Sequence, residues 1–285
     1  MRCKPFILMQ TNVLKISKKK PSNFFFKTFS RIEKRRRFII ATGLLTLLFL
    51  VTTFFSFEQI LIFIPLIFLI VYFMTYFSIL EGISRHEWFM LFIHPVYFSI
   101  LIYLFYFFLP QRWLTRLPFV VIYSVSIYAI LLSQNIFNVG ASKSLQLFRA
   151  AFSVNYLFLT LGSFLTYSLI ISLRMNFLFN FIAIFLASLP LSIQLLWSVA
   201  PSDLVERHLW RYAMFSSLIL AETGVILSLM PLNQSIFALV LTAIFYSLNG
   251  LIQVYLQQAL FKERVREYLI VLGFTAIIFV LSLKW

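Results

Sequence analysis

The sequence predicts an all-α integral membrane protein, a bundle of about nine transmembrane helices with the N-terminus cytoplasmic and the C-terminus outside. Three observations lead there. The 285-residue chain is 61% hydrophobic and 12% charged, with a mean hydropathy of +0.94. A soluble domain is about 45–50% apolar and 25% charged, and no soluble core of this length hides so much apolar surface. The apolar residues also fall in runs close to the ~20 needed to cross roughly 30 Å of hydrocarbon, where a backbone must satisfy itself and so becomes helix. Finally, the cations are segregated along the chain.

Residues 1–37 form a basic cytoplasmic segment with twelve of the twenty-four Lys and Arg. The net charge of +15 would suggest nucleic acid in a soluble protein. Here the cations abut the first apolar run, which makes them a topology signal and a contact for anionic headgroups, and no nucleic acid is expected. Lys18, Lys19, Lys20, Lys34, Arg35, Arg36 and Arg37 are the expected lipid contacts, with Phe24–Phe26 and Phe29 inserting at headgroup depth. The segment is too long, and lacks the small-residue cleavage site, for a signal peptide.

Residues 38–285 form the polytopic domain. The expected spans are 38–56, 60–80, 89–109, 118–140, 154–173, 177–199, 213–232, 236–256 and 269–285. Pro65 leaves the second span two placements, 60–80 with the proline inside, or 65–85 with it as the first helical residue and Glu81 drawn toward the membrane. With the N-terminus inside, twenty Lys and Arg face the cytoplasm and four face out. Losing one span would reverse every later loop, so the asymmetry supports nine. Trp88, Trp197 and Trp210 fall at inner span ends and Trp113 and Trp285 at outer ones, where indole prefers to sit. The connections are short, so little material exists for a loop-built active site. The mixed-charge run Lys262, Glu263, Arg264, Arg266, Glu267 is expected to prolong the eighth helix into water.

The chemistry is sparse. One cysteine, Cys3, excludes an internal disulfide and a multi-thiolate metal site. His86, His94 and His208 stand singly, and no phosphate-loop, dinucleotide, hydrolase or zinc-protease motif occurs. No cofactor or metal is expected. The strongest lead is Glu222, tenth in its span. A charge at that depth costs about 2.5–3.5 kcal/mol on insertion scales. It is either a proton or cation site, or a neutral carboxyl bonded to a neighbouring helix. Ser217, Ala221, Gly224 and Ser228 make a small-residue stripe for close helix packing, and Glu222, about 100° round from Ala221, flanks it. His94, Gln134, Asn135, Gln194 and Asn249 share the inner half of their spans and outline a cytoplasm-facing polar pocket ending at Glu222. Pro190 frees the Leu186 carbonyl, with Ser188 or Ser192 expected to compensate.

Four blocks and the chain end, NIFNVGASKSLQLFRAAF (135–152), ILAETG around Glu222, Tyr246 with Asn249-Gly250-Leu251, Val265-Arg266-Glu267-Tyr268, and the terminal Lys284-Trp285, resemble a family of uncharacterised bacterial polytopic membrane proteins, a domain of unknown function. The resemblance implies a multi-helix membrane architecture and, with the charge pattern, a bacterial plasma membrane. It implies no catalytic or binding residue. Three functions follow as expectations: a small transporter-like or proton-linked permease using Glu222, a non-catalytic membrane scaffold with a membrane-protein partner, and an intramembrane enzyme. The last is disfavoured because no second acid or nucleophile–base pair lies at the depth of Glu222.

Overall fold

The computed structural model describes residues 32–55, 57–79, 89–109, 112–139, 145–201, 205–258 and 262–283. Among these residues there are nine α-helices and no strand: α1 Lys34–Thr52, α2 Ile60–Ile79, α3 Met90–Tyr106, α4 Trp113–Val139, α5 Leu145–Ser172, α6 Phe177–Trp197, α7 Arg207–Ser228, α8 Gln234–Leu256 and α9 Lys262–Ser282. Lys18, Lys19, Lys20, Glu81 and the N-terminal phenylalanines lie outside the described residues. A 3₁₀ turn, Phe57–Gln59, leads into α2. Pro65 lies inside α2, so the second span takes the earlier of its two placements.

Six helices, α2, α4, α5, α6, α8 and α9, are long and apolar enough to cross a membrane. The other three fall short for visible reasons. α3 has 17 residues. α1 begins with Lys34-Arg35-Arg36-Arg37, and α7 carries Arg207, Arg211 and Glu222.

The helices run up and down. One apolar cluster gathers Ile79, Met90, Phe137, Ala151, Trp197 and Leu209, which are the end of α2, the start of α3, the end of α4, the start of α5, the end of α6 and the start of α7. That end also holds Lys34–Arg37, Arg149, Arg207 and Arg211, and is called the basic end below. A second cluster packs α1 to α4 around Leu45, Phe49, Val71, Tyr103 and Ile127. A third packs α5 to α8 around Leu159, Ile184, Leu220, Leu241 and Phe245. α9 leans mainly on α8, with only Tyr268 and Thr275 buried among its described residues. Its outer face presents Leu269, Ile270, Phe274, Ile277 and Leu281.

In lipid the hydrophobic effect does not press helices together, so close packing and internal polar bonds must do so. The stripe on α7 is a close-packing device. Ser217 and Ala221 are fully buried, Ser228 half-buried, and a Cβ at Gly224 would collide with Ile184 of α6. Pro190 lies inside α6, and among the described residues neither nearby serine bonds the freed Leu186 carbonyl; the next carbonyl along, that of Ala187, is bonded from another helix. Tyr97 Oη of α3 donates to the Ala187 carbonyl at 3.1 Å, Ser188 is bonded to Tyr167 Oη at 2.9 Å, and Ser192 Oγ has no partner among the described residues.

At the end opposite the basic one, Arg116 clamps three helices. It is 9% exposed. Its Nε donates to Tyr106 Oη at the end of α3 and its Nη2 to the Thr53 carbonyl just past α1, both at 3.1 Å. The guanidinium lies 4.3 Å from the Phe54 ring centroid and 5.1 Å from that of Trp113. Charge-assisted bonds contribute about 1.5–3 kcal/mol and a cation–π contact about 0.5–2 kcal/mol. Arg116→Gln is therefore expected to lower unfolding stability in detergent by about 2–4 kcal/mol, and Gly224→Val by about 1–3 kcal/mol through overpacking. Arg112→Gln, on an exposed side chain, leaves the unfolding midpoint unchanged.

Candidate functional site

Two polar features meet on α5 near the basic end. The first is a buried network. His94 of α3, Gln134 of α4, Asn155 of α5 and Gln194 of α6 are each at most 1% exposed. Gln194 Nε2 donates to Gln134 Oε1 at 3.3 Å, and Gln134 Nε2 donates to Asn155 Oδ1 at 3.0 Å. His94 Nδ1 lies 2.7 Å from the same Asn155 Oδ1 and donates to it. Gln134 Nε2 also approaches His94 Nδ1 at 3.4 Å, a contact between two donors that adds little. His94 Nε2, Asn155 Nδ2 and Gln194 Oε1 have no hydrogen-bond partner among the described residues. Asn155 Oδ1 thus joins α3, α4 and α5 through one acceptor, and Gln134 Oε1 adds α6.

The expected polar pocket is partly assembled. His94, Gln134 and Gln194 come together. Asn135 is half-buried and does not join them. Asn249, fully buried, turns back on its own helix, with Nδ2 bonded to the Phe245 carbonyl at 3.0 Å. Glu222 is exposed on the outer face of α7, between exposed Leu218 and Ile226, and does not close the pocket. The stripe turns inward, and the 100° step from Ala221 carries the carboxyl past the seam to the outside. Of the terminal cations, Lys34 is half-buried, Arg35 and Arg36 are exposed, and Arg37 is buried, so Arg37 is not presented to headgroups. Asn155 was not singled out in the sequence because the fifth span was expected to begin at 154. The helix begins nine residues earlier, which moves Asn155 from the span edge to its interior.

The second feature is a half-open cavity of about 610 Å³ between α5, α8 and α9, within the roughly 300–1,000 Å³ of small-molecule sites. Its mouth is polar: Arg149 and Ser153 of α5, Gln253 of α8 and Gln257 just past it, and Arg264 of α9. Its floor is three phenols, Tyr156, Tyr246 and Tyr268. Ring centroids of Tyr156 and Tyr246 are 5.0 Å apart, and those of Tyr246 and Tyr268 5.5 Å. Tyr156 Oη donates to the Tyr246 carbonyl at 2.6 Å. Gly250 makes this floor possible, because a Cβ there would collide with the Tyr268 ring and lie 2.7 Å from Tyr156 Oη. No carboxylate lines the cavity among the described residues. Glu267 pairs with Arg264 at 3.7 Å, both side chains well exposed.

The cavity exists because of two helix starts. The run from Lys262 does not prolong α8, as the sequence suggested. Gln258 adopts φ 54°, α8 stops at Leu256, and Lys262 opens α9. Arg264 is therefore on a helix facing Arg149 on another.

At the opposite end, a cavity of about 400 Å³ is lined by Arg174, Asn180, Asn233 and Gln234 among others. Asn180 is 3% exposed, with Oδ1 unpartnered among the described residues. Gln234 Nε2 donates to the Ser168 carbonyl at 2.9 Å. The apolar core of α5 to α8 lies between the two cavities.

Intramembrane polar pairs contribute about 0.6 kcal/mol on average, and an orphaned buried donor costs about 1–3 kcal/mol. Asn155→Leu strips the shared acceptor from two donors and is expected to lower unfolding stability in detergent by about 1–3 kcal/mol. Gln194→Leu, at the end of the chain of bonds, costs less than half as much. Equal losses for the two would contradict Asn155 as the hub.

No curated protein and no solved structure matches the chain. Residues 146–282, just under half of the chain and nearly all of α5 to α9, match the model of the family described as Protein of unknown function (DUF5656), so both cavities lie within the matched segment.

Proposed function

We propose that the chain is a transporter-like membrane protein for an anion-bearing ligand, with nine spans, the basic end in the cytoplasm, and the bacterial plasma membrane as its location. The observation that carries this reading is the pair of cation-bearing polar cavities at opposite ends of α5 to α8, with dry core between them. A carrier needs a polar site reachable from each side and a barrier between. Arg149 and Arg264 supply positive charge at one mouth and Arg174 at the other. The four-residue network of His94, Gln134, Asn155 and Gln194 ties α5 to α3, α4 and α6, which makes a hinge-free platform for the basic-end cavity. The basic end faces the cytoplasm on the positive-inside rule, and the exposed Arg35 and Arg36 then meet anionic headgroups. Glu222 plays no part in this pathway.

The exposed Glu222 favours a second reading, a membrane scaffold whose partner helix covers that face of α7, since a lipid-facing carboxylate at mid-helix is costly without a partner.

Cysteine accessibility tests the carrier reading. In a Cys3→Ser background in oriented membrane vesicles, Gln253→Cys is expected to react with a membrane-impermeant maleimide from the cytoplasmic side only. Asn233→Cys reacts from the outer side only, and Phe245→Cys from neither. Labelling of Gln253→Cys from outside, or of Phe245→Cys from either side, contradicts the arrangement.

A further inference from the structure

The basic-end cavity does not end at its phenol floor. Below it, about 480 Å³ of largely apolar groove runs between the same three helices. Leu157, Leu161 and Phe164 of α5, Leu239 and Ala243 of α8, and Val271 of α9 form its walls. Tyr246 lines both spaces, and Tyr156 and Leu157 are consecutive on α5. Of the two threonines at this wall, Thr160 has its hydroxyl bonded back to the Tyr156 carbonyl at 2.9 Å, and Thr242 Oγ1 is buried without a hydrogen-bond partner among the described residues. The whole trough is therefore graded. Cations and amides stand at the mouth, aromatic rings in the middle, and hydrocarbon at the far end.

Its length matches one leaflet. Arg149 and Phe164 are fifteen residues apart on α5, about 22 Å at 1.5 Å per residue. Half of a bilayer with its headgroups is about 20–22 Å. The trough is also reachable from the side, because α9 has only Tyr268 and Thr275 buried and is held mainly by α8.

We propose that the trough between α5, α8 and α9 binds one membrane lipid with an anionic phosphate headgroup, the head between Arg149 and Arg264 and a chain along Leu157, Leu161 and Phe164. Charge complementarity selects the head, because two guanidiniums flank the mouth and the two acids near Arg264 on α9, Glu263 and Glu267, lie outside the lining, Glu267 paired to Arg264. The apolar continuation selects a lipid over a free anion. The assignment rests on the cavity being a ligand site, and names the ligand class of the carrier reading.

Native mass spectrometry of the full chain in detergent tests it. The probes are dioleoyl phosphatidic acid, dioleoyl phosphatidylcholine, dioleoylglycerol and inorganic phosphate. One phosphatidic acid per chain is expected to survive activation that strips the zwitterionic and uncharged lipids. Arg149→Gln/Arg264→Gln is expected to lower that retention at least tenfold. Leu239→Trp, which fills the tail groove from a side chain already 37% exposed, lowers it similarly. Arg207→Gln/Arg211→Gln, the same charge change on exposed residues of the same end, leaves it intact. Equal retention of phosphatidylcholine, equal effects of the two arginine pairs, or full displacement of lipid by inorganic phosphate would overturn the proposal. Dithionite quenching of a nitrobenzoxadiazole-labelled phosphatidic acid in proteoliposomes reads translocation separately. A chain that retains phosphatidic acid but moves none overturns the carrier reading and leaves the lipid site in place.

Discussion

Lipid offers no hydrogen bonds, so the polar groups inside this bundle turn to the protein itself for partners. That constraint accounts for most of the specific contacts in the structure. The Ala187 carbonyl of α6, in the turn before Pro190, is met by Tyr97 from α3. The buried Arg116 is met by a tyrosine hydroxyl, a backbone carbonyl and two aromatic faces on three helices. Four side chains from α3 to α6 bond to one another around Asn155 Oδ1. Each solution joins separate helices, so the same bonds that satisfy polar atoms also fix the helix arrangement.

α5 is the element through which these constraints reach the candidate site. Asn155 faces the network and Tyr156, the next residue, faces the cavity. Consecutive residues on a helix point about 100° apart, so one turn of α5 is a wall with a fixed polar side and a ligand-facing side. Gly250 lets Tyr156 and Tyr268 close against α8. The cavity is therefore framed by rigid parts on α5 and α8 and by the more loosely held α9 on its third side.

Much of the architecture was legible in the sequence, because apolar run length is a strong signal in hydrocarbon. The nine runs correspond to the nine helices among the described residues, and most boundaries differ by a few residues. α7 starts six residues before its expected span, and the largest differences are at α5 and α9, which start nine and seven residues before theirs. A hydropathy pattern sees only the part of a helix within lipid, and both of these project beyond it carrying charge. Arg149 and Arg264 sit on those projections, so the cavity they flank was invisible. Glu222 misled for a related reason. Its sequence neighbours show that it lies beside a packing seam, but not on which side. His94, Gln134 and Gln194 were legible as interior polar residues, because such groups turn toward other helices. Their shared partner Asn155 was hidden by a span boundary.

The central claim is that α5, α8 and α9 enclose a trough for one anionic lipid. The most direct measurement is an experimental density map of the chain in nanodiscs containing phosphatidic acid. The account predicts one elongated density along α5 from Arg149 to Phe164, its head between Arg149 and Arg264. A trough closed by α9 packing directly onto α5, with no lipid between them, would contradict it.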